Sequence, residues 1–207
     1  LKTLDRIKQF DIRKEMETLS GRNKERLKYE GQVIFLPYIP DQDIASDFDY
    51  IQDKSELVWD FSQKVPETLK KQIFQILCYA LRNIKDSKDR RVRYLLPLRW
   101  MYEFCVEEGI DDIERLELEQ IKKLETIVAR KVANVKNSMQ IVDNSRKILF
   151  MSGKEIHWHA NVWYMERFNF APERVNPSNP VQRLSFYEVT NERNRELLQE
   201  YMKYQVG

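Results

Sequence analysis

One segment, residues 90–119, restricts the possible folds of this chain more than any other. Its first part is basic and rich in aromatic residues, and its apolar positions recur at helical spacing up to Gly109. A glycine at this point is typical of a helix that ends in the left-handed conformation. The residues that follow, Ile110-Asp-Asp-Ile-Glu-Arg-Leu, are a short acidic stretch. The segment therefore predicts two consecutive helices joined by a short connection.

The residues before this segment predict a further helix. Pro66 suits a first helical turn, and the apolar positions after it fall on one helix face. These positions are Leu69, Ile73, Ile76, Leu77, Ala80, Leu81 and Ile84.

Apolar spacing also defines the extent of the two central helices. The helix over residues 89–108 is bent at Pro97 or broken after Leu96, and we expect it to bury Val92, Leu95, Tyr102, Cys105 and Val106. Residues 117–142 predict one long helix with its lysines and arginines facing outward. Its apolar positions are Leu118, Ile121, Leu124, Val128, Val132, Val135, Met139 and Val142. Together these helices are expected to share one core.

The N-terminal part gives weaker patterns. Residues 1–28 predict a charged helical arm. Residues 31–40 are β-branched and aromatic with two prolines, which favours an extended segment lying on a surface. The acidic stretch that follows, up to Trp59, is interpreted as a loop or short helix.

The C-terminal part leaves one alternative open. Ser152-Gly-Lys-Glu matches a capping box that opens a helix, whereas the alternation from Ile156 to Tyr164 is typical of a strand, and helix is slightly favoured. Residues 176–180, Asn-Pro-Ser-Asn-Pro, predict a linker. Residues 193–204 predict a helix that begins a further module.

These patterns predict a mainly α protein, a small helical bundle with an extended N-terminal segment and a C-terminal linker. The expected divisions are 1–58, an N-terminal arm and extended acidic segment; 59–150, a helical domain; 151–180, an aromatic subdomain and linker; and 181–207, the start of a further module.

The composition is typical of an intracellular globular protein. The 207 residues are 42% hydrophobic and 33% charged, and no apolar run has membrane-spanning length. Cys78 and Cys105 lie on apolar helical stripes without a Cys-x-x-Cys partner, so we expect reduced core thiols. Because Leu1 is not an initiator methionine and no signal-peptide pattern is present, we expect an excised part of a longer protein.

Basic residues are concentrated in two blocks, although the net charge is only +2. The first block contains Arg82, Lys85, Lys88, Arg90, Arg91 and Arg93. The second contains Arg130, Lys131, Lys136, Arg146 and Lys147. Cations beside the amides of a helix start neutralise phosphates and release counterions, so both blocks are candidate DNA contacts. The alternative, a solvated face that only keeps the chain soluble, stays open for each.

The sequence predicts neither a catalytic centre nor a cofactor. His157 and His159 would project from one face of a strand, but zinc takes three or four protein ligands and no further Cys or His completes a set. Acidic pairs such as Asp111-Asp112 are interpreted as solvated turn residues without a nearby histidine.

A dense set of aromatic residues follows these histidines. The set consists of Trp158, Trp163, Tyr164 and Phe168. Such residues stack on bases in some nucleic-acid-binding proteins, but the core of a small subdomain is the favoured interpretation here.

Several motifs resemble the N-terminal region of transposon-encoded tyrosine recombinases from Gram-positive mobile elements. They are Trp59-Asp-Phe-Ser, the segment from Trp100 to Gly109, Ala160-Asn-Val-Trp-Tyr-Met-Glu-Arg-Phe, Asn176-Pro-Ser-Asn-Pro and Glu196-Leu-Leu-Gln-Glu-Tyr-Met-Lys-Tyr. The helix, Gly109, acidic turn and second helix resemble the core-binding module of these integrases, which has a SAM-like helical fold.

The resemblance implies that the chain clamps double-stranded DNA beside other recombinase subunits in a synaptic complex, in the bacterial cytoplasm at the nucleoid and away from membranes. Catalysis in the family needs a His-x-x-Arg box, but the third residues after His157 and His159 are Ala160 and Val162. We therefore expect this chain not to be an enzyme by itself. The alternative is a helical protein-protein interaction or oligomerisation module of a mobile-element protein.

Overall fold

The computed structural model describes residues 33–39, 41–61, 64–174, 178 and 182–206. It is mainly helical, with two small two-stranded sheets, which confirms the predicted fold class. The chain forms two compact units, of which unit 1 ends at Arg91 and unit 2 begins at Val92. This single division differs from the predicted boundaries at 58, 150 and 180. The predicted arm over 1–28 and, apart from Ser178, the linker over 176–180 lie outside the described residues.

The described part of unit 1 contains a short antiparallel pair of strands and two helices. Its elements are β1 Val33–Phe35, α1 Gln42–Ser46, β2 Val58–Asp60 and α2 Glu67–Asn83, with 3-10 turns at Leu36–Tyr38 and Lys54–Leu57. The segment that includes β1 was expected on a surface, yet Ile34 is fully buried opposite Trp59 of β2.

Aromatic packing explains why no boundary falls near residue 58. The rings of Trp59 and Phe61 stack at 6.4 Å, and Phe61 meets Phe74 of α2 edge-on at 5.8 Å. The hairpin and α2 therefore share one core.

Helix α2 confirms the predicted apolar face. The side chains of Leu69, Ile73, Ile76, Leu77, Ala80 and Leu81 are all buried. Burying a leucine or isoleucine side chain contributes about 1.5–3 kcal/mol relative to exposure, so this face is a major source of stability in unit 1.

Helix α3 has three consecutive stretches, which are α-helical over Ser87–Asp89, π-helical over Arg90–Leu95 and α-helical over Leu96–Glu108. Pro97 lacks an amide hydrogen and its ring crowds the carbonyl four residues earlier, and the wider π turn before it relieves that crowding. The predicted burial of Val92 is wrong, since 40% of this side chain is exposed. Gly109 ends α3 in the predicted left-handed conformation, with φ of +69°.

The predicted single helix over 117–142 is wrong. The structure has α4 Leu118–Ala129 and α5 Val135–Ser152, because the side chain of Asn134 caps α5 by accepting a hydrogen bond from the Asn137 amide at 3.1 Å. The apolar residues keep helical spacing through the turn between α4 and α5, so the sequence pattern does not reveal the break. Helices α3, α4 and α5 pack on one another.

The segment after α5 folds as a hairpin rather than the favoured helix. Strand β3 Val162–Tyr164 pairs antiparallel with β4 Arg183–Ser185, and 3-10 turns occur at Met165–Phe168 and Pro172–Arg174. The aromatic residues form a core around Phe150, Trp163 and Phe186, as the favoured interpretation predicted.

Helix α6 Glu192–Val206 confirms the predicted C-terminal helix but belongs to unit 2. Met202 and Val206 pack against the aromatic core, and Gln199 Nε2 donates to the Ala160 carbonyl at 3.0 Å.

Asn161 joins the hairpin to the connection between α3 and α4. It is 1% exposed, its amide donates to the Glu114 carbonyl at 2.9 Å, and its Nδ2 donates to the carbonyls of Arg115 and Leu116 at 2.9 and 3.2 Å. The Phe186 amide in turn donates to the Asn161 carbonyl at 2.7 Å. The connection contains one 3-10 turn, Ile113–Arg115, and the backbone and side chain of Asn161 donate to three carbonyls at the end of this turn.

Replacing Asn161 with leucine should lower the free energy of unfolding by about 1–3 kcal/mol, because the Arg115 carbonyl loses its side-chain donor and the Leu116 carbonyl keeps only Arg146. Urea denaturation followed by tryptophan fluorescence measures this loss. The matched control is Asn194→Leu, at an exposed position of α6, with an expected change within about 0.5 kcal/mol. Equal losses in the two variants would contradict the role given to Asn161.

Candidate functional site

The first basic block divides into exposed and internally bonded side chains. Arg82, Lys85 and Lys88 are exposed, and none of them is ion-paired among the described residues. They lie at the end of α2 and the start of α3, in unit 1, and are named the connector group.

Arg90 is not available to an external anion. It is only 4% exposed, its Nη1 pairs with the carboxylate of Asp47, and its Nε donates to the Ile84 carbonyl at 2.9 Å. The guanidinium thus ties α1 to the connection between α2 and α3.

The other two members of the block differ from each other. Arg91 is half-buried, and its Nη2 lies 2.7 Å from Glu56 Oε2. The acidic block at residues 41–60 supplies this carboxylate as well as that of Asp47. Arg93 is exposed on the π turn, in unit 2.

The second block divides in the same way. Arg130, Lys131 and Lys136 are exposed around the turn between α4 and α5, and none is ion-paired within the described part of the chain. They are named the hairpin-tip group. Lys131 Nζ lies 5.8 Å above the ring of Trp100, and no acidic residue occurs in the first turn of α5.

Arg146 and Lys147 have structural partners. Arg146 is 3% exposed, its Nη2 donates to the Leu116 carbonyl at 2.6 Å, and burial lowers its pKa. Lys147 is exposed, with Nζ 2.7 Å from Glu166 Oε1. Arg90 and Arg146 therefore support the fold, although the sequence grouped them with the surface cations.

A cluster that the sequence did not predict lies in unit 2. His157 Nδ1 is 2.6 Å from Glu114 Oε2, and His159 Nε2 is 3.3 Å from Asp112 Oδ2. These four residues are named the acid–histidine cluster. Asp112, interpreted as a solvated turn residue without a nearby histidine, is instead 8% exposed and faces one.

The electrostatics of this cluster are unusual. Glu114 is 2% exposed, and burial raises the pKa of its carboxyl group to about 7 despite the neighbouring His157. The hydrogen bond that His159 donates to the Asp112 carboxylate stabilises the protonated imidazole and raises the pKa of His159. The sequence signal was present as Asp-x-Glu and His-x-His, but nothing local placed the two pairs together.

Comparison with known proteins gives no assignment, since no protein-family model, curated protein or solved structure matches the chain. Among the described residues, no helix combines the length and apolar character that crossing a membrane requires.

Replacing Arg90 with methionine should destabilise the protein by about 1–3 kcal/mol, because Asp47 and the Ile84 carbonyl lose a buried donor. Arg82→Met is the matched control at an exposed position, and its expected effect is within about 0.5 kcal/mol. Urea denaturation of both variants tests the distinction, and equal stability would show that Arg90 is not structural.

Proposed function

We propose that this chain binds duplex DNA without cutting it, as the N-terminal part of a site-specific tyrosine recombinase whose catalytic domain is not in this chain. The observation that carries the proposal is the pair of exposed cation sets, the connector group and the hairpin-tip group. The resemblance in the sequence motifs supplies the recombinase context, with other recombinase subunits as partners and the bacterial nucleoid as the location.

Both groups suit phosphate contacts because none of their side chains is ion-paired with a carboxylate among the described residues. A lysine or arginine that neutralises a phosphate releases condensed counterions, which favours binding at low salt. Members of these groups reach a phosphate without first losing a carboxylate partner. Arg91 and Lys147 would have to give up Glu56 and Glu166, so we rank them below the two groups.

The N-terminus of α5, beside the hairpin-tip group, is a second feature that favours phosphate binding. The first amides of α5 have no partners within the helix, and the positive end of the helix dipole attracts an anion. Arg130, Lys131 and Lys136 surround this end, and the first turn contains no acidic residue to oppose a phosphate. Contacts of this kind fix position on the duplex, while few base contacts and the shape of the DNA would supply specificity.

Alanine substitution of either complete group should weaken binding to duplex DNA similarly for all sequences. The slope of log Kobs against log salt is negative, and each lost phosphate contact makes it less steep by about 0.9. Loss of three contacts should therefore reduce its magnitude by about 2–3. Fluorescence anisotropy with a labelled duplex over a range of KCl concentrations measures both quantities.

A charge-matched control separates local contacts from net charge. Lys64, Lys154 and Arg193 are exposed and lie outside the two groups, and their triple alanine variant removes the same charge. We expect its salt slope to stay close to that of the unmodified chain. An equal loss in the control, or salt-independent binding throughout, would contradict the proposed interface.

One observation favours the second candidate, a protein interaction or oligomerisation module. Helix α6 has three large side chains at helical spacing that are mostly exposed, Leu197 at 62%, Tyr201 at 61% and Tyr204 at 85%. An exposed apolar stripe of this kind is a common feature of association surfaces.

Light scattering after size exclusion, with and without duplex DNA, distinguishes the two candidates. The interaction module predicts self-association that DNA leaves unchanged and that Leu197→Ser with Tyr201→Ser abolishes. Glu196→Ser with Glu200→Ser on the same helix is the control and should leave the mass unchanged. Assembly only in the presence of DNA favours the DNA-binding proposal.

A further inference from the structure

The acid–histidine cluster brings together two segments that are far apart in sequence. Asp112 and Glu114 belong to the connection between α3 and α4, and His157 and His159 belong to the segment between α5 and β3. Asp112, Glu114 and His159 each offer a donor atom, and these three atoms lie within 4.8 Å of one another.

The spacing of one donor pair matches that of two ligands on one ion. Tetrahedral zinc with bonds of 2.0–2.1 Å places neighbouring ligand atoms about 3.3–3.4 Å apart. The atoms Asp112 Oδ2 and His159 Nε2 are 3.3 Å apart, so their hydrogen bond is a long one, and the distance equals that between two ligands of one zinc ion. The pair is therefore spaced as ligands are.

Glu114 supplies an independent indication. Its side chain is 2% exposed, and its Oε1 is buried with no hydrogen-bond partner among the described residues. A buried carboxylate oxygen without a donor is costly, and a bound cation removes that cost.

The carboxylates are held in place by the fold. Asp112 Oδ1 accepts a hydrogen bond from the Glu114 amide at 2.9 Å, which leaves Oδ2 directed to His159. The Glu114 carbonyl accepts from the Asn161 amide, so the backbone between the two acids is fixed.

The histidine segment is also held. Arg167 donates to the carbonyls of Met151 and Gly153, which fixes the turn after α5. A Cβ atom at Gly153 would lie 2.8 Å from His157 Nε2, so the turn needs a glycine for the imidazole to approach. The backbone on both sides of the cluster is therefore anchored by hydrogen bonds.

We propose that Asp112, Glu114 and His159 bind one divalent cation of the zinc class. Imidazole together with carboxylate oxygens suits zinc, whereas magnesium and calcium take oxygen ligands. His159 is 56% exposed at its side chain, which provides an entry path from solvent. Three protein ligands leave one position for water.

His157 acts through Glu114 rather than on the ion. Its Nδ1 lies 2.6 Å from Glu114 Oε2, which is hydrogen-bond distance and too short for two ligands of one ion. It orients the carboxylate so that Oε1 is the ligand, as outer partners do for metal-bound carboxylates. The ion thus links the α3–α4 connection to the segment before β3.

Titration of the metal-stripped full chain with zinc chloride, followed by calorimetry, tests the site. We expect one ion per chain and a higher melting temperature in zinc. The variants His159→Gln and Asp112→Asn should lose at least about 100-fold in affinity, and His157→Gln about 10-fold to 100-fold. Asparagine at position 112 keeps the Oδ1 cap, and His159 is exposed, so both variants should fold, which circular dichroism checks.

Matched controls use acids next to the cluster. Asp111→Asn and Glu155→Gln remove exposed carboxylates adjacent to Asp112 and close to His157, and each should stay within about 2-fold of the unmodified chain. Cys78→Ser should also retain binding, which excludes a thiol site. Magnesium chloride should bind far more weakly than zinc.

Four results would overturn the site. They are absence of saturable one-to-one zinc binding, losses in the control variants equal to that of His159→Gln, loss of binding in Cys78→Ser, and equal affinity for magnesium.

Discussion

The contacts made by Asn161 are the constraint on which the rest of unit 2 depends. The connection between α3 and α4 has only one 3-10 turn, Ile113–Arg115, and the carbonyls at the end of this turn accept hydrogen bonds from outside the connection. Asn161 donates to the carbonyls of Glu114, Arg115 and Leu116, while Phe186 donates back to it. Asn161 therefore fixes the connection between α3 and α4 to the aromatic hairpin.

The contacts of Asn161 also set the positions of Glu114 and of its neighbour Arg146. Because the Glu114 backbone is held by Asn161, its side chain is directed into the interior beside His157. Arg146 donates to the Leu116 carbonyl next to the Asn161 amide, and this contact makes it part of the core. A cation from the second basic block and two acids from a turn thus become interior residues.

Charge pairing separates structural cations from those that we propose contact DNA. The acidic block at residues 41–60 supplies Asp47 to Arg90 and Glu56 to Arg91, so of the first basic block in unit 1 the connector group is the part that stays exposed. In unit 2 the first turn of α5 contains no acidic residue that could pair with the hairpin-tip group. This group is exposed. The net charge of +2 is therefore a poor guide to the surface.

Local patterns in the sequence determined the mainly helical fold, the buried face of α2, the end of α3 at Gly109 and helix α6, because periodicity and a left-handed glycine act over a few residues. The tertiary structure decided the strand at 162–164, because its partner β4 lies some twenty residues later in the chain. It also decided the helix break at Asn134, because the apolar residues keep helical spacing through the turn. It alone decided which cations are exposed and which acids meet the histidines. Asp47 and Arg90, like Glu114 and His157, are 43 residues apart, and no local rule specifies a contact that forms only when the chain folds back on itself.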